Sequence, residues 1–248
     1  MKHVIAAVCA VVVVGIAAAA SADSFFRQWR IDTLVGEGIT LYHHGDYTGS
    51  LQKFDAALEL APLDVKTRYD RALDLYALGK YPEASTELQA CVKAQPDFVP
   101  ASFNLAVTDL AFGDVADAQA IFTKILAEHP DSVRAHFDLG LSHFMDGHPD
   151  EAAKDFTVAS LLHPQYTQAH YNLALAEYRT GNLVAAEREA DASLHLNSKY
   201  AKAYFLRGAI RLREGDQAGA KAQFSSAALY TSDPLLKNLC SQIIVEIS

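Results

Sequence analysis

Apolar positions along most of the chain recur at three- and four-residue spacing, the period of an amphipathic helix. The runs are short and punctuated. GDYTGSLQKFDAALELAP, from Gly45 to Pro62, opens on a glycine turn and closes on a proline, and GKYPEASTELQACVKAQP, from Gly79 to Pro96, repeats that outline 34 residues later. Gly45, Gly79, Gly113, Gly147, Gly181 and Gly215 hold the 34-residue register without a slip. Pro62, Pro96, Pro130 and Pro164 keep the same period; Ser198 and Ser232 occupy the last two proline slots, with Pro234 two places late. A strict period of this length is the mark of stacked supersecondary units. It predicts six two-helix units over residues 31–64, 65–98, 99–132, 133–166, 167–200 and 201–234.

Numbering each unit from 1 to 34 gives the columns physical meaning. Place 8 is small throughout (Gly38, Ala72, Ala106, Gly140, Ala174, Gly208), as is place 20 (Ser50, Ala84, Ala118, Ala152, Ala186, Ala220). Small residues on successive helices let them pack closely, and the large residues at place 24 (Phe54, Leu88, Phe122, Phe156, Phe224, with Ala190 the exception) fill the space beside them. Place 7 is Leu105, Leu139 and Leu173 in the middle units but Glu37, Arg71 and Arg207 elsewhere. The glycine at place 15 follows the first helix, where a left-handed residue is favoured. Asp46, Asp114, Asn182 and Asp216 come next, as N-caps for the second helix. The proline then ends that helix.

Both ends depart from the pattern. After the sixth unit, Asp233-Pro234 reads as an N-cap and first-turn proline. The stripe Leu235, Leu236, Leu239, Cys240, Ile243, Ile244 and Ile247 makes residues 235–248 a capping helix. At the other end, MKHVIAAVCAVVVVGIAAAASA has a basic start, a long apolar run and small residues at Ala20 and Ala22. It reads as a secretory signal peptide over residues 1–22, cleaved before Asp23. The alternative is a membrane anchor formed by residues 4–22, a run that approaches the ~20 residues needed to span a bilayer. Residues 23–30 are a lead-in whose Phe25, Phe26 and Trp29 either prolong the first helix over the open end or dock a partner.

Charge and chemistry narrow the function. The formal net charge of −9 is spread without long runs and argues against nucleic acid, whose phosphates need a basic face. Three cysteines are too few for a disulfide framework. There is no nucleophile elbow, Gly-rich phosphate loop, HExxH or CxxC, so neither an enzyme nor a cofactor is expected. His136 and His143 share a helix, and His170 sits one unit on from His136. A zinc site needs three or four converging ligands, whereas these places are packing positions, so no metal is expected.

AHFDLGLSHFMDGHPDEAAKDFTVASLLHP (Ala135 to Pro164) and AHYNLALAEYRTGNLVAAEREADASL (Ala169 to Leu194) resemble the tetratricopeptide repeat family in their order of small residue, aromatic, Leu, Gly or Ala, Gly, Ala and Phe. The family's tryptophan at place 4 is absent; Leu34, Arg68, Ser102, His136, His170 and Tyr204 stand there. The resemblance implies an all-α, right-handed superhelical solenoid with a concave groove lined by the first helix of each unit. Groove positions would then be Tyr69, Phe103, Phe137 and Tyr171 at place 5, Asp70, Asn104, Asp138 and Asn172 at place 6, and Tyr76, Phe144 and Tyr178 at place 12. Apolar pockets with a few placed polar groups hold extended peptides or partner helices. The expectation is an exported, periplasmic scaffold that binds a peptide segment or helix of an envelope protein in its groove. Its alternative is a structural subunit of a secretion, pilus or polysaccharide-export assembly that docks by its ends or convex face.

Overall fold

The computed structural model describes residues 23–247 in full and residues 2–22 only as the backbone of the first helix. The signal peptide or membrane anchor expected over residues 1–22 therefore falls where no side chain is described. Among those described there are thirteen helices and no strand. Within residues 23–247, no helix is long and apolar enough to cross a membrane. The chain divides into two compact units, residues 1–112 and 113–248.

The first unit holds α1 (Lys2–His43), α2 (Tyr47–Leu60), α3 (Val65–Ala77), α4 (Tyr81–Ala94) and α5 (Val99–Phe112). Each helix packs against the next, and α1 also touches α3. Helix α1 runs through the lead-in without a break, but Phe25, Phe26 and Trp29 point outward, Trp29 with 61% of its surface exposed. The second unit holds α6 (Val115–Glu128), α7 (Val133–Met145), α8 (Pro149–Leu162), α9 (Thr167–Thr180), α10 (Leu183–Leu196), α11 (Ala201–Arg213), α12 (Gln217–Tyr230) and α13 (Pro234–Glu246). It too is a chain of neighbouring helices, with α7 against α9 and α9 against α11.

The columns act as the sequence predicts where the structure speaks to them. All six place-15 glycines have positive φ, from 73° to 105°, a conformation that costs a side-chain-bearing residue its Cβ clearance. Gly38 faces Phe54, Gly140 faces Phe156 and Gly208 faces Phe224 so closely that a Cβ on Gly140 would lie 2.8 Å from the ring of Phe156. Those phenylalanines are buried. Asp46, Asn182 and Asp216 cap their helices by accepting the backbone N–H of Gly49, Ala185 and Gly219. Asp114 stands at the cap position without a side-chain bond. Caps also arise at Asp64, Ser132 and Asp233, one residue before α3, α7 and α13. On α13, Leu236, Ile243, Ile244 and Ile247 pack round buried Cys240, Phe224 and Ala227, while Leu235 faces solvent. Cys91 and Cys240 are free thiols, both buried; burial pushes Cys91 up to about 11, so it stays protonated and unreactive.

At three of the six places in the tryptophan column a polar clamp stands instead. Arg68 donates to Glu87 (2.8 Å) and to the carbonyl of Pro62 (2.9 Å). His136 repeats both contacts, with Asp155 (3.4 Å) and the carbonyl of Pro130 (3.0 Å). His170 repeats them again, with Glu189 (2.9 Å) and the carbonyl of Pro164 (3.2 Å). Each residue ties its own hairpin together and anchors the preceding turn. His143 also reaches Asp155, at 2.9 Å, so the histidines serve packing. The polar residues at place 7 are likewise engaged: Arg71 bridges Asp55 (2.6 Å) and Glu87 (3.1 Å), and Arg207 meets Asp191 (3.2 Å).

Candidate functional site

The eleven residues expected to line a groove fall on two faces, one per unit. In the first unit, α3 carries Tyr69, Asp70 and Tyr76, and α5 carries Phe103 and Asn104. Asn104 donates its amide to the Tyr69 hydroxyl, and the Tyr69 ring meets Phe98 edge-on at 5.1 Å. Phe103 is buried, with 8% exposure, and serves the core. Tyr76 is half-buried beside Tyr81, with ring centres 5.3 Å apart.

In the second unit, α7 carries Phe137, Asp138 and Phe144, and α9 carries Tyr171, Asn172 and Tyr178. Phe137 is 9% exposed and wedged between Phe156 and Tyr166. Tyr171 packs edge-on to Tyr200 at 5.3 Å, and burial pushes its phenol up to about 12. Phe144 lies under the Arg179 guanidinium (5.5 Å) and Tyr178 under that of Arg213 (4.9 Å), which also donates to the Tyr178 carbonyl. Asp138 has Arg134 one turn earlier, 3.8 Å away; burial raises its carboxyl to about 6 and Arg134 opposes the shift. Asn172 is half-buried. The chain's own cations thus cover the aromatic and acidic places of this face.

The first unit differs at the same places. Asp70 has a buried oxygen, Oδ2, with no hydrogen-bond partner. Lys66, one turn earlier, acts on Asp70 through space, and burial is the stronger influence, raising its carboxyl. One turn on, Asp74 is 0% exposed and neither of its oxygens is bonded. The neighbouring Ser50 hydroxyl donates instead to the Gly38 carbonyl, at 2.9 Å. Burial lifts Asp74 to about 6, with the Ser50 hydroxyl opposing and Asp70 and Asp46 adding to the rise. Across from them is Tyr42 on α1, whose phenol is raised by burial first and then by Tyr47, Asp74 and Asp70. A cavity of about 220 Å³ opens here, lined by Ile39, Tyr42, His43, Phe54, Lys66, Asp70 and Leu73.

Sequence reasoning missed four features of these faces. The ring partners Phe98, Tyr166 and Tyr200 recur at place 34 and were legible in the same 34-residue register. The covering role of Arg179 and Arg213 depends on how one unit overlies the next. The orphaned Asp74 occupies a column otherwise held by Thr40, Thr108, Ser142, Ala176 and Ile210, where a carboxylate is the exception. The cavity beside Tyr42 has no linear signature.

Antiparallel helix pairs, stacked by small-on-large columns and repeated at one period, define a helical-hairpin repeat protein, whose role is to hold other proteins. The chain belongs to the tetratricopeptide repeat family: the family model matches residues 69–108, 103–160 and 138–201, over half its length. It is thus an interaction scaffold of tetratricopeptide type. No curated protein matches it. Among solved structures it is similar in fold to PilW, a type IV pilus biogenesis factor, with a TM-score of 0.74 and 17% identity over 84% of this chain and 97% of that one. It is similar also to pilF of Pseudomonas aeruginosa (TM-score 0.70, 15% identity, 87% of this chain and 99% of that one). MamA of Desulfovibrio magneticus RS-1 shares the fold at a TM-score of 0.65 and 19% identity, over 69% of this chain and 97% of that one. Identities this low carry the fold alone.

Proposed function

We propose that the protein is an exported scaffold that holds a peptide segment or helix of an envelope protein on the α1–α3–α5 face, with no catalytic step of its own. The observation that carries this reading is the contrast between the two faces. Where Arg179 and Arg213 lie over the rings of the second, the first has an open cavity of about 220 Å³ with Asp70 in its wall. A groove of apolar side chains with a few polar groups is the usual seat for an extended chain. The export segment and the acidic charge fit an envelope location without a nucleic-acid partner.

The test is capture of the partner by the Asp70→Asn, Tyr76→Ala double variant. Both residues are only partly buried, so the melting temperature should fall by no more than a few degrees while capture is lost. Undiminished capture contradicts the reading. Phe103 is unsuitable for this purpose, because truncating a buried phenylalanine costs ~3–5 kcal/mol.

A second reading, assembly through the end of the repeat array, has its own support. Phe25, Phe26 and Trp29 are exposed together, and monomeric surfaces seldom show such clusters without use. PilW, similar in fold, is named as a pilus biogenesis factor. On this reading, deleting residues 23–30 abolishes capture and the double variant is silent.

A further inference from the structure

We propose that two copies of the chain pair through the outer face of α1, antiparallel about a twofold axis, with Trp29 of each copy seated against Gly36 of the other. The inference does not depend on the peptide seat, and it gives the exposed N-terminal end of the array a definite occupant.

Gly36 is a hole without a knob. Three glycines in helix interiors, Gly38, Gly140 and Gly208, each face a phenylalanine ring so closely that a Cβ would lie 2.7, 2.8 and 2.7 Å from it. Gly36 also lies in the interior of a helix, yet a Cβ there would meet nothing within 4 Å. Glycine in a helix interior costs stability relative to alanine, and its usual benefit is the close approach of another group to the backbone. Within one copy no group makes that approach.

Trp29 is a knob without a hole. It is 61% exposed, beside Phe25 and Phe26 at 66% and 64%. Repeat arrays need a polar outer face at their ends. At the C-terminal end α13 covers Phe224 and Ala227, whereas the outer face of α1 leaves its aromatic residues bare.

Knob and hole belong to one patch. Trp29 and Gly36 are seven residues apart, two turns of helix, and so share a face of α1 with Asp32 and Thr33, all of them exposed. Two turns span ~10 Å, and a helical side chain leans towards the N-terminus, so the indole points away from the glycine of its own copy. A second copy resolves both. An antiparallel α1 turned about a twofold near Asp32 and Thr33 sets residue 29 opposite residue 36 in both directions at once. Such a contact uses one patch against itself, and this patch carries both members of the pair. An unrelated partner would have to bring an aromatic for Gly36 and a separate recess for Trp29. The same axis brings the two Asp32 carboxylates towards each other, each already accepting from Gln28 of its own copy at 2.8 Å, which keeps the pairing modest.

The test is sedimentation velocity on the protein as purified from its native cells. The parent should pass from one chain to two between about 1 and 100 μM. Trp29→Ala and Gly36→Gln should each weaken the pair at least about tenfold, and Asp32→Asn should tighten it. Gly36→Gln fills open space with a better helix former, so its single chains should melt no lower than the parent's, and lost pairing cannot be ascribed to unfolding. Thr33→Cys, beside the axis, should let a short bismaleimide join two chains, whereas Val184→Cys, exposed on α10, should not. Cys91 and Cys240 are buried and stay out of that reaction. A parent that remains a single chain at about 100 μM overturns the proposal. So does association that survives both Trp29→Ala and Gly36→Gln, or a Thr33→Cys variant that does not link. Capture by the Asp70→Asn, Tyr76→Ala variant tests the peptide seat separately.

Discussion

Asp74 is the residue at which this fold departs furthest from its own repeat. The hydroxyl of Thr108 at this place donates to the carbonyl four residues back, and that of Ser142 to the carbonyl three back. A carboxylate cannot donate, so it is left in the core without a bond. Its carboxyl, ordinarily 3.8, is raised to about 6, chiefly by burial. The folded state therefore keeps the proton longer than the unfolded chain does. Stability from this group is greatest below pH ~4, falls as pH rises towards ~6, and stays low above that. Asp74→Asn should then raise stability at pH ~7.5 by up to ~3 kcal/mol and make little difference at pH ~4. Denaturant titrations at both values check this; equal effects at both would show that the charge is not the cause. Nothing in the sequence marked the burial, because a polar residue in a first helix reads equally well as solvated.

At the scale of helices, hairpin geometry was the most legible feature. The 34-residue spacing of glycine and proline placed the turns, and the small and large columns named the close approaches before any coordinates. Where the first helix has glycine, the second has phenylalanine; Ala72 is matched by Leu88 and Ala106 by Phe122. As the Gly140 backbone stands, a Cβ would lie 2.8 Å from the Phe156 ring, so Gly140→Ala should cost ~1–3 kcal/mol, and adding Phe156→Leu should recover part of the loss by copying the second repeat. Thermal melts of the two variants settle it, and an additive double variant would mean the ring is not the obstacle. The clamp at place 4 was not legible. Its partners lie 19 residues ahead and six behind, and only the antiparallel register of a hairpin brings Arg68, His136 and His170 to both. At three of the six places where the family has tryptophan, a polar side chain thus joins the second helix to the preceding turn.

For the molecule as a whole, period and charge reach the class of protein but not its partner. The repeats look alike in sequence, and the candidate groove places of repeats two to five carry tyrosine or phenylalanine beside Asp or Asn in each. The structure separates them by what the chain has already satisfied. Phe103 and Phe137 are packed away, Phe144 and Tyr178 lie beneath arginines, and Asp138 has its own cation. The first unit has in addition an open α1–α3 cavity, walled in part by Tyr42, Lys66 and Asp70, with Tyr76 on the same helix as Asp70. That feature is smaller than a groove running the length of the chain, and it makes the account easier to test. The direct measurement is site-specific photocrosslinking in the native cell, with the photoreactive residue at Tyr76, at Trp29, or at exposed Val184 as a control. The account predicts one envelope partner crosslinked from Tyr76, lost when Asp70→Asn is added, and absent from Val184. Crosslinks that arise only from Trp29 would contradict it and assign the working surface to the N-terminal end.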